Sequence, residues 1–276
     1  MKLHDVVETE EEAQQRRLHS GNLYRVDHWR RSTQRYLGET SYGYSPGNAP
    51  KDQAAFRELP SALYHSVVAS TAQSLAGEQI ALECSAALCS MAPDERARMY
   101  LATQVIDEAR HVEVFTHRLA LLGKTDPNAA IQKYANPKLL EFGAKLRKLV
   151  LETRDFAGGV AGQNLALEGL ALGVFEFTSE FYKQVDPGYS EVLDGVVADE
   201  RRHVGFGVTR VREILENQRE RMDELVNRLG EMTEDMMAMF HDVASAMASY
   251  GMDVDDVMGR VKTAHATHRR RLGIDA

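Results

Sequence analysis

Two five-residue strings, at 107–111 and 199–203, constrain the fold of this chain more than any other feature. Both have the pattern Asp-Glu-x-Arg-His, so each contains a glutamate followed three residues later by a histidine. On an α-helix, residues i and i+3 lie on the same face, about 4.5 Å apart along the axis. Each string therefore directs one carboxylate and one imidazole toward a common point. It predicts a helix that has these two polar side chains on one face.

Each string is preceded by a helical segment that carries one more glutamate, Glu78 in the first half and Glu168 in the second. The halves form an internal repeat, because His203 follows His111 by 92 positions and Glu168 follows Glu78 by 90. If each half is an antiparallel helical hairpin, its lone glutamate and its string lie at similar distances from the turn and therefore at the same height in the bundle. The two distances agree closely in the first half and less closely in the second. A bulge in the glycine-rich third bundle helix would absorb the difference.

Four carboxylates and two imidazoles inside a four-helix bundle are the ligand set of a di-iron or di-manganese centre. Ionised, the carboxylates balance two divalent cations, whereas without metal they would repel one another and lose their hydration. One Glu-x-x-His alone can arise by chance on a solvated helix face, but two matched copies favour a metal site. The aspartates Asp107 and Asp199 are placed to accept hydrogen bonds from the ligand histidines, with Arg110 and Arg202 as their ion-pair partners. The predicted metal ligands and catalytic residues are Glu78, Glu108, His111, Glu168, Glu200 and His203.

Composition narrows the class of protein further. The 276 residues suffice for a large core, and the net charge of −8 argues against nucleic-acid binding. No apolar run approaches the roughly 20 residues that span a bilayer, and the N-terminus is too acidic for a secretory signal. With only two cysteines, the chain is expected to be a reduced, cytoplasmic protein without a membrane partner. Its sequence leaves formation of a homodimer open.

The pattern along the chain predicts an all-α, ferritin-like four-helix bundle with additional N- and C-terminal helices. Residues 1–60 are expected to form an N-terminal helix, over 1–19, and a lid-like loop, over 37–60. The bundle should occupy residues 61–217, with a loop over 124–136 and an extra helix at about 137–152. The C-terminal helices of residues 218–276 should pack on the bundle.

Residues 77–81 (Gly-Glu-Gln-Ile-Ala) and 101–111 (Leu-Ala-Thr-Gln-Val-Ile-Asp-Glu-Ala-Arg-His) resemble the first half of bacterial multicomponent monooxygenase hydroxylases, the catalytic subunits of soluble methane and toluene monooxygenases. Residues 164–169 and 199–203 resemble their second half. The similarity covers roughly residues 61–215. It extends more loosely to ribonucleotide reductase small subunits, their ligand-binding oxidase relatives and di-iron arylamine N-oxygenases. The resemblance implies dioxygen activation at a di-iron centre, with Mn/Fe as the alternative metal pair.

Three positions depart from these relatives. Leu172 stands where the monooxygenases carry a threonine, which argues against a threonine proton relay. Phe115 stands where radical-generating subunits carry a tyrosine, and Val196 where N-oxygenases carry an extra histidine. In the reductase subunits an N-terminal tryptophan contacts the aspartate of the second string, and the resemblance implies a contact between Trp29 and Asp199. A packing or lid role for Trp29 is the alternative, and the sequence favours it.

These observations favour an oxygenase that uses O₂ to hydroxylate or otherwise oxidise a small, partly apolar organic substrate. The alternatives are an N-oxygenase acting on an amine, a ligand-binding or radical-generating oxidase, and, less favoured, a ferroxidase. No flavin, iron–sulfur or nicotinamide motif is present, so electrons are expected from a separate reductase or ferredoxin. Side chains near the ligands along their helices are predicted to line the substrate pocket, namely Gln104, Phe115, Asn164, Leu172 and Val196.

Overall fold

The computed structural model describes residues 26–33, 59–248 and 253–274, and every regular element in these ranges is helical. The expected helix over 1–19 and most of the expected lid-like loop over 37–60 lie outside the described residues. The helices are α1 (Val26–Thr33), α2 (Ser61–Ser90), α3 (Glu95–Leu121), α4 (Pro127–Tyr134), α5 (Pro137–Arg147), α6 (Phe156–Val160), α7 (Glu168–Val185), α8 (Pro187–Asn217), α9 (Met222–Met247) and α10 (Val254–Leu272).

Capping residues set the helix boundaries near the site. The Asp94 side chain accepts a 2.9 Å hydrogen bond from the Ala97 amide and so begins α3. Gly123 follows the last turn of α3 and has a φ of 75°, a left-handed conformation that glycine adopts readily. The expected loop over 124–136 is wrong, because Asp126 caps a short helix there by accepting from the Ala129 amide at 3.0 Å. Pro127 occupies the first turn of this helix, α4, where its missing N–H costs nothing.

Four long helices form the bundle, with α2 packed on α3 and α7 packed on α8. The predicted all-α, ferritin-like bundle with additional helices is therefore confirmed. The third bundle helix is not a continuous α-helix, since a π-helical segment, Ala161–Leu167, joins α6 to α7. Its extra residue per turn is the bulge that the glycine-rich sequence suggested.

The additional helices close one side of the bundle. α10 crosses α7 so closely at Gly173 that a β-carbon there would lie 3.1 Å from the backbone of Arg260 and Val261. α9 packs against both α5 and α7. None of the described helices is long and apolar enough to cross a membrane.

Candidate metal centre

The six predicted ligands meet in the middle of the bundle. One comes from α2 (Glu78), two from α3 (Glu108 and His111), one from the start of α7 (Glu168) and two from α8 (Glu200 and His203). Their exposed fractions are 4 % or less. Six polar side chains at this depth require compensation from one another or from bound cations.

Their donor atoms form two overlapping groups. Glu78, Glu108, His111 and Glu200 offer atoms within 4.8 Å of one another, and so do Glu108, Glu168 and His203. Because Glu108 belongs to both groups, its carboxylate is positioned to bridge two ions. The two imidazole rings are 6.2 Å apart between centroids. The arrangement can hold a pair of metal ions, one beside each histidine.

Both histidines present the same ring nitrogen to the carboxylates. His111 Nδ1 lies 3.1 Å from Glu78 Oε2 and 3.4 Å from Glu108 Oε2. His203 Nδ1 lies 3.2 Å from Glu108 Oε1 and 3.4 Å from Glu200 Oε2. The Nδ1 atoms are therefore the candidate metal donors, and each Nε2 points away from the centre.

The electrostatics of the cluster suit a cationic occupant. Burial, and behind it repulsion among neighbouring carboxylates, raises the pKa of Glu78 to about 8 and also raises the pKa of Glu168 and Glu200. Burial acts on Glu108 too, but the two imidazoles outweigh it and lower the pKa of Glu108 to about 2. Positive charge at the centre would let all four carboxylates ionise.

Three atoms of the cluster have no hydrogen-bond partner within the described part of the chain. They are Glu108 Oε2, Glu200 Oε2 and His203 Nδ1, and all three are buried. Buried polar atoms without a partner are rare in proteins. Carboxylate oxygen and imidazole nitrogen are good ligands for iron and manganese, so two such ions fit these residues.

The outer nitrogens of the histidines face the aspartates of the opposite string. His111 Nε2 lies 3.3 Å from Asp199, and His203 Nε2 lies 3.4 Å from Asp107. Arg202 donates to both aspartates, at 2.9 Å to Asp107 and 2.6 Å to Asp199. Arg110 donates to Asp107 at 2.8 Å and lies 3.5 Å from Asp199. This crossed network orients each imidazole so that its Nδ1 faces the metal position.

Trp29 joins the same network from α1, but at a different aspartate from the one that the resemblance implied. Its indole Nε1 donates to both oxygens of Asp107, each at 3.1 Å, instead of to Asp199. The physical reason is that α1 packs on α3, the helix that carries Asp107. The indole is therefore linked through Asp107 to His203.

Amide side chains surround Glu168. Gln104 and Gln163 donate to its Oε1 at 2.9 and 3.0 Å, and Asn164 donates to its Oε2 at 3.0 Å. The structure thus places Gln104 and Asn164, two predicted pocket residues, on a ligand carboxylate. Sequence reasoning missed Gln163, and the glycine-rich stretch around it was the available signal.

An apolar cavity reaches the ligands from the other side. About 730 Å³ of space, including part that is open to solvent, lies between its walls, and Glu78, Glu168 and Glu200 are among its lining residues. α7 contributes Ala171, Val174, Phe175 and Thr178, and α9 contributes Met236, Met239, Phe240 and Val243. The α9 residues were missed as pocket residues, although their i, i+3, i+4, i+7 spacing marks one helix face.

None of the five predicted pocket residues is among those that line this cavity. Phe115 is fully buried and stacks on Phe175 with ring centroids 6.2 Å apart, and Val196 is fully buried in the core. Leu172 is half-buried away from the cavity. The α7 residues that face it lie three, six, seven and ten positions after Glu168, so Leu172, four positions after, falls beside that row.

Solved structures of R2-like ligand-binding oxidases share this architecture. One variant with an aerobically reconstituted Mn/Fe cofactor gives a TM-score of 0.76 at 16 % identity, over 91 % of this chain and 92 % of that chain. A second variant, reconstituted anaerobically with Mn/Fe, gives 0.76 at 17 % identity over the same shares. A third structure with an aerobically reconstituted Mn/Fe cofactor gives 0.69 at 18 %.

These TM-scores, over nine-tenths of both chains, confirm the fold expected from the resemblance to reductase small-subunit-like oxidases. No protein-family model and no curated protein matches the sequence.

Proposed function

We propose that this protein is a di-metal oxidase that uses O₂ to oxidise a small, partly apolar organic substrate. The observation that carries the proposal is the contact between the apolar cavity and three metal-ligand candidates, Glu78, Glu168 and Glu200. A cavity lined mainly by aliphatic and aromatic side chains, with a few convergent polar groups, is the usual form of a small-molecule site. Here the charged groups in the lining are predicted ligands.

Glu78, Glu108, His111 and Glu200 would hold one ion, and Glu108, Glu168 and His203 the other. Two iron ions, or one manganese and one iron, would supply the reduction of dioxygen when bound. Asp107 and Asp199 keep the histidine Nδ1 atoms directed inward by accepting from Nε2. The amides of Gln104, Gln163 and Asn164 fix the Glu168 carboxylate.

The cavity walls provide two further functions. Side chains such as Phe175, Leu193 and Met236 exclude water from the space beside the ligands. They also favour substrates with an apolar body, at about 25 cal/mol for each Å² of apolar surface buried. Electrons would come from a separate reductase or ferredoxin.

A second candidate is a ligand-binding oxidase that holds an organic molecule without turning it over. It is favoured by the structural neighbours, which are named R2-like ligand-binding oxidases and match over nine-tenths of both chains. The two candidates share the metal centre and the cavity. They differ in whether an organic product leaves the protein.

A single-turnover experiment separates them. The iron-loaded, chemically reduced protein is mixed with isotopically labelled dioxygen and a panel of apolar probes, including toluene, a 1-alkanol and an alkylamine. The proposed enzyme gives an oxidised organic product in an amount comparable to the protein, and the product carries the label where an oxygen atom has been inserted. A ligand-binding oxidase retains the probe unchanged, and a ferroxidase yields ferric iron alone. Glu108→Ala should abolish the product, whereas Glu113→Ala, on the exposed face of the same helix, should retain it.

A further inference from the structure

A second, smaller cavity continues the apolar path away from the metal centre. We call the cavity beside the ligands the inner chamber and this second one the outer chamber. The outer chamber is bounded by Phe177, Phe181 and Tyr182 of α7, Ala244 of α9 and Val257 of α10. Its walls enclose about 460 Å³, open solvent included. It lies where the C-terminal helices cross the end of the bundle.

The two chambers lie one after the other along α7. Glu168, Ala171, Phe175 and Thr178 face the inner chamber, and Thr178, Phe181 and Tyr182 face the outer one. From Glu168 to Thr178 the helix advances ten residues, or about 15 Å at 1.5 Å per residue. An extended alkyl chain covers that distance with roughly a dozen carbons, because its C–C bonds of about 1.5 Å advance by somewhat less than their length.

One layer of side chains separates the chambers. Five residues line both cavities, namely Ser70, Val174, Thr178, Phe240 and Val243. Phe240 is the largest of them and the only aromatic one, and it is 7 % exposed. The remaining four are small or β-branched, so the bulk of the partition is the Phe240 ring.

The helix that carries Phe240 is held in place on both sides of that residue. Asp235 and Asp242 of α9 pair with Lys145 and Lys138 of α5, at 2.6 and 2.7 Å. Gln73 of α2 donates to Met239 Sδ at 3.1 Å. The two ion pairs are exposed and contribute little on their own. The position of α9, and with it that of the partition, depends mainly on the packing of α9 against α5 and the Ala161–Leu167 segment.

We propose that Phe240 is a specificity-determining residue that limits the length of the substrate to what the inner chamber holds. The inference rests on the proposed function, since it takes the inner chamber as the substrate site. It adds that the substrate has a linear apolar body of at most roughly a dozen carbons. Removing the ring joins the chambers and extends the accepted chain toward Phe181.

The test is a binding series that needs no turnover. Iron-loaded protein is titrated anaerobically, by calorimetry, with straight-chain 1-alkanols of increasing length. Each added methylene that becomes buried should tighten binding about fourfold. In the unmodified chain this increase should stop at a break length. In Phe240→Ala the break should move to longer chains by several carbons, and in Phe240→Leu by fewer.

The matched control is Phe181→Ala, the same change on a residue that lines the outer chamber alone. It should leave the break where it is in the unmodified chain. Far-ultraviolet circular dichroism establishes that each variant is folded, and the milder Phe240→Leu serves if Phe240→Ala is not.

Three results would overturn the inference: no alkanol binding, affinity that rises with no break, or a break that stays in place in both Phe240 variants. If the break moves as expected but no organic product forms in the single-turnover experiment, the length limit stands and the proposed oxidation fails.

Discussion

The two lone glutamates, Glu78 and Glu168, follow similar sequences but differ in the hydrogen bonds that their carboxylates accept. A glutamine lies five residues before each of them, Gln73 before Glu78 and Gln163 before Glu168. Gln163 donates to Glu168, whereas Gln73 donates to Met239 and accepts from the Asn136 amide at 2.6 Å. Among the described residues, the hydrogen bond of Glu78 is to His111.

The difference follows from helix geometry. In an α-helix, residues i and i+5 are about 140° apart around the axis, so Gln73 in α2 is directed away from Glu78. In a π-helix the hydrogen bonds run between residues i and i+5, and these lie on nearly the same face. The π segment Ala161–Leu167 therefore brings Gln163 onto Glu168. The internal repeat places a candidate ligand at the corresponding position of each half. The local change from α- to π-helix gives Glu168 a glutamine hydrogen bond that Glu78 does not receive from Gln73.

Glu108→Ala should have the largest effect, because Glu108 belongs to both ligand groups. We expect both metal positions to be lost, with less than one ion per chain and no turnover. Metal analysis after gel filtration is the measurement, with Glu113→Ala as the control. Full occupancy by two ions in Glu108→Ala would rule out its bridging position.

His268 packs on the second half, with its Nδ1 3.0 Å from where a β-carbon on Gly169 would lie. Burial, aided by Arg271 and His265, lowers the pKa of His268 to about 4 from an ordinary 6.5. Because the folded chain resists protonation, the free energy of unfolding should fall as pH drops from about 6.5 to 4, by about 3 kcal/mol.

Urea unfolding across that range measures the loss. His268→Leu should remove this part of the pH dependence, and His241→Leu, an exposed change, should keep it. Equal slopes for the unmodified chain and His268→Leu would show that His268 does not carry the effect.

Gln163→Leu and Gln73→Leu test the comparison between the two helices directly. Loss of an outer hydrogen-bond partner typically lowers metal affinity about 10–100-fold, so Gln163→Leu should weaken metal binding to that extent. Gln73→Leu should leave it unchanged. Competition with a chelator gives both affinities, and equal losses would mean that the π segment makes no functional difference.

Trp29→Phe should have the smallest effect. It removes the indole donor to Asp107, but Arg110 and Arg202 still bind that carboxylate. A single hydrogen bond contributes about 0.5–1.5 kcal/mol, so metal affinity should fall about twofold to tenfold. Chelator competition is again the measurement. A loss as large as that of Gln163→Leu would mean that docking of α1 controls the His203 position.

The clustering of the six candidate ligands could be predicted from the sequence because it depends mainly on local spacing within single helices. Glu108 with His111 and Glu200 with His203 need only an i, i+3 relation within one helix. The pocket could not be predicted in this way. Leu172 does not line this cavity because it lies beside the row of α7 residues that do. Phe240 belongs to a helix some 70 residues further on, whose position depends on tertiary packing.

The six candidate ligands are expected to hold two metal ions within the bundle. Crystals of the chain loaded with iron, or with manganese and iron, should be measured on both sides of each metal's absorption edge. We expect two anomalous peaks roughly 3–4 Å apart, one beside His111 Nδ1 and one beside His203 Nδ1, with Glu108 in contact with both. A single peak, or peaks only at surface carboxylates, would rule out a two-metal site at these six residues.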